Sequence, residues 1–264
     1  MKALILYFSG TGNTRYVAEK LRGILVQKGV TAELHSLEER FSPSSFDYDL
    51  LLLGFPKYYE NPVLPVLKQL RHLLPRREKV IPTMAFCTQA STLPTDYSRL
   101  DKLLRAKNHR LTVAESFPFA NNMMIFRFFR PTTSEAAEQN RAAITARLPA
   151  LVDTFLSGGV QTERVKWWEG PLYHLVAVAF TKLMPIFGMK FSASERCIGC
   201  GLCAKNCPRK NITMADGRPR FGRQCIFCMR CINTCPANAI LYHDRQCQQY
   251  FCPGEKQQNR QNPS

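Results

Sequence analysis

A duplicated cysteine run constrains this sequence more than any other feature. The run CIGCGLCAKNCP begins at Cys197 and recurs as CIFCMRCINTCP from Cys225. Each copy is a cysteine loop followed by a short apolar segment, around Ile212 and Ile240. Ten of the eleven cysteines follow Arg196. Such crowding in a chain of 264 residues indicates metal ligands rather than disulfides.

The spacing within each copy, C-x2-C-x2-C-x3-C-P, is typical of ligands to a four-iron, four-sulfur cubane. Three thiolates in one loop bind three irons, and the fourth iron needs a sulfur from another direction. In a duplicated run the fourth cysteine of each copy completes the opposite cluster. Structural zinc is the alternative, although four-cysteine zinc sites normally show two separated C-x2-C pairs. The first predicted ligand set is Cys197, Cys200, Cys203 and Cys235, and the second is Cys207, Cys225, Cys228 and Cys231.

This segment, from about Phe191 to His243, resembles the bacterial two-cluster ferredoxins. The resemblance implies a small α+β domain that conducts single electrons and performs no bond chemistry. Its charge departs from these usually acidic ferredoxins, because 11 Lys and Arg stand against 4 Asp and Glu from Phe191 onward. We expect the excess to make the cluster potentials less negative or to favour an acidic partner. The nearby Cys247 and Cys252 are interpreted as spare thiols rather than a further metal site.

Upstream of the repeat, predicted strands alternate with predicted helices. Ala3 to Phe8 is an apolar run suited to a buried strand, and Asn13 to Lys28 carries apolar residues at helical spacing. The alternation predicts a parallel sheet covered by helices on both faces. Further strands are predicted at 32–37, 48–54, 80–86 and 111–117, and further helices at 63–74, 97–107 and 135–156, the last with a capping box from Thr132 to Glu135.

The loop between the first strand and the first helix is rich in glycines and hydroxyl side chains. Glycines let the backbone approach a ligand, and free amides at a helix N-terminus bind anions, so the loop predicts a phosphate pocket. The loop contains no lysine and no G-x-G-x-x-G pattern, which argues against a P-loop nucleotidase and a dinucleotide site. A tight turn capped by hydroxyls is the alternative. The candidate phosphate residues are Ser9, Gly10, Thr11, Gly12, Asn13 and Thr14.

This loop resembles the S/T-x-T-G-x-T phosphate loop of flavodoxins, and the resemblance covers about residues 1–156. It implies a doubly wound parallel sheet in the order 2-1-3-4-5, with FMN at the switch point between the first and third strands. It also implies two loops at the flavin ring, one after the third strand and one after the fourth. Cys87 in the second loop is interpreted as a small buried residue. The candidate ring contacts are Pro56, Tyr58 and, as second choice, Tyr59 in the first loop, with Thr88 and Gln89 in the second.

The segment Pro171 to Met189 is apolar for nearly the length of a membrane span. A histidine, Lys182 and Pro185 interrupt it. We therefore favour a helix that packs between domains and ends at Pro185 over membrane-surface association, and both over a span. Trp167 and Trp168, just before this segment, are interpreted as anchors of the helix rather than as a stacking platform for nucleic acid.

Composition narrows the class of protein and its partners. The sequence is 45% hydrophobic and 21% charged, which excludes a disordered chain. A formal net charge of +16 favours an acidic redox protein or an acidic surface as partner. The N-terminus MKALILYF runs directly into a strand pattern without the features of a secretory signal, so we expect a cytoplasmic location.

As a whole, the sequence is similar to bacterial and archaeal fusions of a flavodoxin-like domain with a two-cluster ferredoxin domain. The resemblance implies an electron-transfer iron–sulfur flavoprotein that joins the one-electron chemistry of clusters to the one- or two-electron chemistry of FMN. The alternatives are a flavin-dependent reductase of a small molecule such as a quinone, and a cluster-based redox sensor. The predicted parts are a flavodoxin-like domain at 1–157, a linker with the apolar helix at 158–190, a ferredoxin domain at 191–246 and a tail at 247–264.

Overall fold

The computed structural model describes most of the chain and divides it into two compact units. The described residues are 1–39, 42, 47–58, 60–90, 93–123, 125, 134–163 and 165–250. The first unit comprises residues 1–9, 13–120 and 135–178, and the second draws its described residues from 10–12, 121–134 and 179–264. The domain limits drawn from the sequence remain predictions.

The first unit is a doubly wound α/β sheet with the predicted strand order. Its five long strands are hydrogen-bonded in parallel in the order β2-β1-β3-β5-β6, which is the flavodoxin-like order. Strand β7 extends the sheet in parallel beyond β6, while β4 forms a hairpin with β3. The elements are β1 (Lys2–Tyr7), α1 (Asn13–Gln27), β2 (Thr31–Ser36), β3 (Leu50–Tyr58), β4 (Asn61–Pro62), α2 (Leu64–Leu73), β5 (Ile81–Gln89), α3 (Ser98–Arg105), β6 (His109–Pro118), α4 (Ser134–Leu156), β7 (Gln161–Thr162) and α5 (Glu169–Gly188), whose residues from Ala179 onward belong to the second unit.

The core of the first unit explains why its central strands are continuously apolar. Residues 50–55 of β3 are all buried, as expected for a parallel strand with helices on both of its faces. Helices α1 and α4 cover one face of the sheet, with Leu21, Leu25, Leu148 and Val152 packed among alternate strand residues such as Ile5. This packing fixes the carboxyl ends of the strands, where the loops with the candidate flavin residues begin.

The second unit contains two small antiparallel sheets and two short helices that repeat each other. Gly201 precedes α6 with φ 71°, and Met229, at the equivalent position of the second copy, precedes α7 with φ 60°. Gly199 and Phe227 correspond in the same way, with φ 69° and 55°. The second copy thus holds two bulky residues in the left-handed conformation that glycine adopts in the first. The elements are β8 (Phe191–Ala193), α6 (Leu202–Lys205), β9 (Ile212–Ala215), β10 (Arg218–Phe221), α7 (Arg230–Asn233), β11 (Ile240–Tyr242) and β12 (Arg245–Gln246).

Aromatic rings hold the second unit together. Phe227 lies 5.7 Å from Phe191 and 5.9 Å from Tyr242, measured between ring centroids, and Phe191 lies 4.9 Å from Tyr242. Because Phe227 lies between two cysteines of the second run, this contact ties the cysteine loop to strands β8 and β11.

The ends of several elements differ from the sequence predictions, and strand β5, for example, runs to Gln89 instead of ending at Phe86. Strand β3 continues from the expected end at Gly54 to Tyr58, because Phe55 and Pro56 keep pairing with β5 and the next two residues pair with β4. Helix α5 continues through Pro185 to Gly188. The proline removes one backbone donor, whereas the turn after it brings an aromatic ring onto Phe227. Thr132 of the predicted capping box lies outside the described residues.

Candidate redox-cofactor sites

The second unit has a cavity lined by cysteines from both runs. Three thiols of the first run, on the loop and helix α6, are joined by Cys235 from the end of the second run. Met214 and Ile240 form part of the apolar wall. Cys200 is exposed and Ile198 is 69% exposed, so one side of this cavity faces solvent. The four cysteines lining it are Cys197, Cys200, Cys203 and Cys235.

A second cavity has the reciprocal composition. Three thiols of the second run are joined by Cys207 from the end of the first, and Phe191, Ile212 and Phe227 line the apolar wall. Each cavity therefore brings together a cysteine triad and the distant fourth cysteine that the sequence pairs with it. Within the described ranges, no group of three or more Cys, His, Asp or Glu side chains stands close enough to bind a single ion. The four cysteines of this second cavity are Cys207, Cys225, Cys228 and Cys231.

Backbone amides point at the crossing cysteines in both copies. The amide of Asn211 donates to Cys207 Sγ at 3.3 Å, and the amide of Ala239, its equivalent in the second copy, donates to Cys235 Sγ at 3.2 Å. Such donors stabilise thiolate charge and are a means by which proteins adjust cluster potentials. The repeat therefore supplies equivalent polar contacts to both sites.

Burial raises the pKa of two thiols that line the cavities. Together with a smaller contribution from neighbouring thiols, it raises the pKa of Cys203 to about 11 and that of Cys225 to about 12. The neighbours of Cys225 are Cys228 and Cys207, as the composition of the second cavity requires. Thiolates are the metal-binding form, so loading these sites requires the release of protons. Each cavity is lined by four thiols, an arrangement that fits a metal cluster with thiolate ligands on several of its sides.

The loop between β1 and α1 places helix amides and a buried hydroxyl pair near the switch point. Gly12 has φ 99°, a conformation that favours glycine, and α1 begins at the next residue with no acidic side chain in its first turn. Thr14 is 1% exposed, and its Oγ1 lies 2.8 Å from Thr88 Oγ1. Two predicted site residues from different loops are thus in direct contact. A glycine turn and a helix start without an acidic side chain fit a phosphate group.

Residues 10–12 of this loop group with the second unit, where they meet two side chains that sequence reasoning missed. Asn122 donates from Nδ2 to Thr11 Oγ1 at 2.5 Å, and Arg230 donates from Nε to the Gly10 carbonyl at 3.2 Å. Arg230 also donates from Nη1 to the carbonyl of Asn206, the residue before Cys207, at 3.1 Å. Only the asparagine had a sequence signal, because the polar pair Asn121 and Asn122 follows the end of strand β6 after two intervening residues. Nothing in the spacing connects Arg230 with a residue near position 10.

The close approach at Gly10 explains why this position carries no side chain. A Cβ built on Gly10 would lie 2.5 Å from the backbone carbonyl oxygen of Cys228, a distance that real Cβ atoms essentially never show. Any larger residue would force the cysteine loop or residues 10–12 to move. Glycine at position 10 therefore allows the backbone of residues 10–12 to approach the cysteine loop within the second unit.

The two predicted ring loops lie side by side at the ends of β3 and β5. Pro56 is the register partner of Thr88, and Tyr58 ends β3, opposite Asn61 in the hairpin with β4. Thr88 and Gln89, predicted in the loop after the fourth strand, are instead the last two residues of β5, and Gln89 Nε2 donates to the carbonyl of Leu93 at 3.2 Å. Tyr59, the second-choice ring contact, lies outside the described residues.

Cysteines outside the two cavities have structural environments. Cys87 is fully buried, and burial raises the pKa of its thiol to about 12. A thiol that is so seldom ionised is a poor nucleophile. This agrees with the prediction that Cys87 is a small buried residue. Cys247 is also buried, and Cys252 lies outside the described residues.

Comparison with known proteins finds one matching family model and similar solved structures. Residues 196–239 match the family model of the 4Fe-4S dicluster domain. Three of the solved structures are similar to part of the chain. A flavodoxin from the domain Archaea is 16% identical over 58% of this chain and 99% of its own, with a TM-score of 0.37. A mutant flavodoxin from Pseudomonas aeruginosa is 18% identical over 58% and 99%, with a TM-score of 0.39. The rubredoxin oxygen:oxidoreductase from the anaerobe Desulfovibrio gigas is 15% identical over 58% of this chain but 36% of its own, with a TM-score of 0.34.

No curated protein matches the chain. The assignment of the first unit rests on its strand order, which is that of flavodoxins. Strand order and cysteine pattern together define a protein with a flavodoxin-like α/β part and an iron–sulfur part of the 4Fe-4S dicluster class. The dicluster match supports a role in electron transfer.

Proposed function

We propose that this protein passes electrons between two [4Fe-4S] clusters, FMN and an external redox partner. The observation that carries the proposal is the pair of reciprocal cysteine cavities in the second unit. Each holds three thiols of one run and the fourth thiol of the other. Four thiolates on a cubane leave no open iron, so such clusters carry electrons rather than bind substrate.

The proposed ligand assignment follows the cavities. Cys197, Cys200, Cys203 and Cys235 bind the cluster on the solvent-facing side, and Cys207, Cys225, Cys228 and Cys231 bind the other. The exposure of Cys200 and Ile198 supports the first site as the point where an external carrier delivers or collects electrons. Electron transfer weakens steeply with distance, so the less covered cluster is the better contact for another protein.

FMN is the flavin proposed for the β1–α1 loop and the two ring loops. Its phosphate would meet the amides at the start of α1 and the hydroxyls of Thr11 and Thr14, and Tyr58 would face its ring. FMN exchanges one or two electrons, whereas each cluster exchanges one. The chain's own contribution is to bind the phosphate, to orient the ring and to place residues 10–12 near a cluster site.

Arg230 supports a close coupling between the phosphate loop and the second cluster site. Its guanidinium joins the carbonyl of Gly10 to that of Asn206, whose neighbour Cys207 lines the cavity. A cation at this position also favours added electrons nearby. We therefore propose that electrons move between FMN and the Cys207 site, and between the exterior and the Cys197 site.

The decisive experiment is anaerobic purification or reconstitution, followed by metal, sulfide and flavin analysis and a stepwise redox titration. We expect about eight iron and eight sulfide per chain, one FMN, and separate one-electron steps for two cubanes. Zinc in place of iron would overturn the proposal. Steady reduction of a quinone that continues after the clusters are removed would assign the reductase alternative. Partner binding that depends on the clusters, without electron flow, would assign the sensor.

We also propose a reducing, cytoplasmic location. The described cysteines are free thiols, and solvent-exposed Cys200 would oxidise readily in an oxidising compartment. An acidic redox protein is the proposed external partner, because the formal net charge of the chain is +16.

A further inference from the structure

Helix α5 presents an apolar surface to the outside, the reverse of an ordinary surface helix. Its exposed side chains recur every three or four residues along five turns, as one face of a helix requires. Leu175 is 66% exposed. We call this surface the α5 apolar face; its residues are Leu172, Leu175, Val176, Ala179, Leu183 and Ile186.

The opposite side of α5 packs on protein. Ala177 and Met184 are buried, and within the second unit the rings of Phe180 and Phe187 lie 5.9 and 6.2 Å from that of Phe227. In the described part of the chain, α5 is the one helix long and apolar enough to cross a membrane, but only 17% of its most apolar window is buried. Protein packing therefore covers one side of the helix, and the apolar face remains uncovered. Packing along one side favours a helix that lies on a membrane surface over one that spans the membrane.

Both ends of the α5 apolar face carry side chains suited to a lipid headgroup region. Trp167 is 88% exposed and Trp168 is half exposed just before the helix, so they do not anchor it as the sequence interpretation supposed. Exposed lysines precede, interrupt and follow the face at Lys166, Lys182 and Lys190. Tryptophan rings favour the membrane interface, and lysine side chains extend their charge to lipid phosphates from an apolar surface.

We propose that the α5 apolar face docks onto an anionic lipid membrane, with the helix lying in the interface plane. Apolar side chains along one face with basic residues around it are the pattern of interfacial helices. A second copy of the chain is the competing occupant, but pairing two such faces would bring lysines together between molecules that each carry a formal charge of +16. An anionic bilayer covers the apolar side chains and also attracts the charge. The proposal is independent of the electron-transfer function.

Vesicle flotation of the full-length, cofactor-loaded protein tests the proposal. Phosphatidylcholine vesicles with and without phosphatidylglycerol should be compared at low and high salt. We expect flotation with the anionic vesicles at low salt, and a loss of about tenfold or more in partitioning for Leu175→Glu and Leu183→Glu. Val80→Glu is the matched control, because Val80 is 62% exposed outside α5 and acquires the same charge.

Tryptophan fluorescence gives a second readout. The sequence contains two tryptophans, Trp167 and Trp168, at the start of α5, so their emission should shift to the blue when anionic vesicles bind. Iron and flavin content should match the unaltered protein in all three variants, since the substituted side chains are exposed.

Three results would overturn the proposal. One is the absence of flotation with anionic vesicles at low salt, and another is equal flotation of Leu175→Glu and Val80→Glu. The third is a concentration-dependent dimer in sedimentation that Leu175→Glu dissociates, which would assign the face to a second copy.

Discussion

At the residue scale, the crossing of the fourth cysteines is the most specific expectation, and paired substitutions test it. Cys207→Ala should remove the cluster at Cys225 and leave about four iron per chain. Adding Cys225→Ala should then cost no further iron, because both residues serve one site. Adding Cys203→Ala should remove nearly all the iron, because that residue serves the other site.

The opposite pattern of iron loss would show that each run binds its own cluster. Cys235→Ala is the matched control for the first step, since it occupies the equivalent position in the second run. It should likewise leave about four iron per chain, and should lose no further iron with Cys203→Ala.

The hydroxyl pair of Thr14 and Thr88 separates phosphate binding from general stability. Either valine substitution removes the same 2.8 Å hydrogen bond, so both should lower the free energy of unfolding by about 1 kcal/mol. Thr14→Val should also lose a bond to the phosphate, about 1.5–3 kcal/mol, or ten- to a hundredfold in FMN affinity. In fluorescence titrations Thr14→Val should lose more affinity for FMN than for riboflavin, which lacks the phosphate, whereas Thr88→Val, at a candidate ring contact, should change both affinities by the same factor. An unchanged preference for FMN in Thr14→Val would contradict the phosphate assignment.

The grouping of site residues could be predicted where chemistry imposes a local spacing, while their roles stay predictions. The cysteine runs and the glycine–hydroxyl loop have such spacings, and the structure places these residues in cavities and at the start of α1. Arg230 could not be found in this way, because its partner Gly10 is 220 residues away. The contact depends on the tertiary fold, which leaves no periodic signal in the sequence.

Among the helices and strands, α5 ends at Gly188, which packs closely against the cysteine loop at Cys225. A Cβ on Gly188 would lie 2.2 Å from the Cβ of Cys225 and 3.1 Å from its sulfur. Gly188→Ala should therefore displace Cys225 and reduce iron toward about four per chain, measured by metal analysis. Gly23→Ala in α1 is the control, because no atom lies within 4 Å of a Cβ there. Full iron content in Gly188→Ala would show that the helix end and the cysteine loop can separate freely.

A buried tyrosine–histidine pair connects the approach to β3 with the start of β6. Tyr48 Oη lies 3.0 Å from His109 Nε2, and burial lowers the pKa of His109 to about 4. The unfolded chain, with a histidine pKa near 6.5, binds the proton first as the pH falls. Stability from this group is therefore complete above about pH 6.5 and declines toward pH 4, by about 2–3 kcal/mol.

Urea unfolding at several pH values measures this contribution. His109→Gln, which cannot titrate, should show a flatter dependence between pH 4 and 6.5 than the unaltered protein. His72→Gln, at an exposed histidine, is the matched control. Identical slopes for His109→Gln and the unaltered protein would show that His109 is not the source of the pH-dependent stability.

The type and order of the helices and strands could be predicted from the sequence, whereas the residues at which they end were predicted less well. The parallel sheet follows from apolar runs separated by helical periodicity, and its strand order follows from the flavodoxin resemblance. The extension of β3 to Tyr58 depends on pairing with β5 and β4, which single-strand patterns do not contain. The outward direction of the α5 apolar face also depends on which side of the helix meets protein, and composition alone does not specify that.

At the scale of the whole molecule, charge is expected to govern the encounter with the external partner. Each oxidised cubane with four thiolates adds about −2 and the FMN phosphate nearly −2, so the loaded protein keeps about +10. Arg196 is exposed beside Cys197, at the side of the solvent-facing cysteine cavity. A positive charge there should steer an acidic carrier to the cluster from which electrons leave or enter.

Stopped-flow reduction by an acidic ferredoxin tests this steering with two variants of equal net charge. Arg196→Glu should slow the bimolecular rate roughly three- to tenfold at low salt, whereas Lys102→Glu in α3 should change it little. The two rates should converge as salt rises, because screening shortens from about 10 Å at 0.1 M to about 3 Å at 1 M. The first-order electron transfer between cluster and flavin should stay constant throughout, since it needs no encounter. Equal slowing by the two variants would mean that overall charge, rather than the surface near Cys197, attracts the carrier.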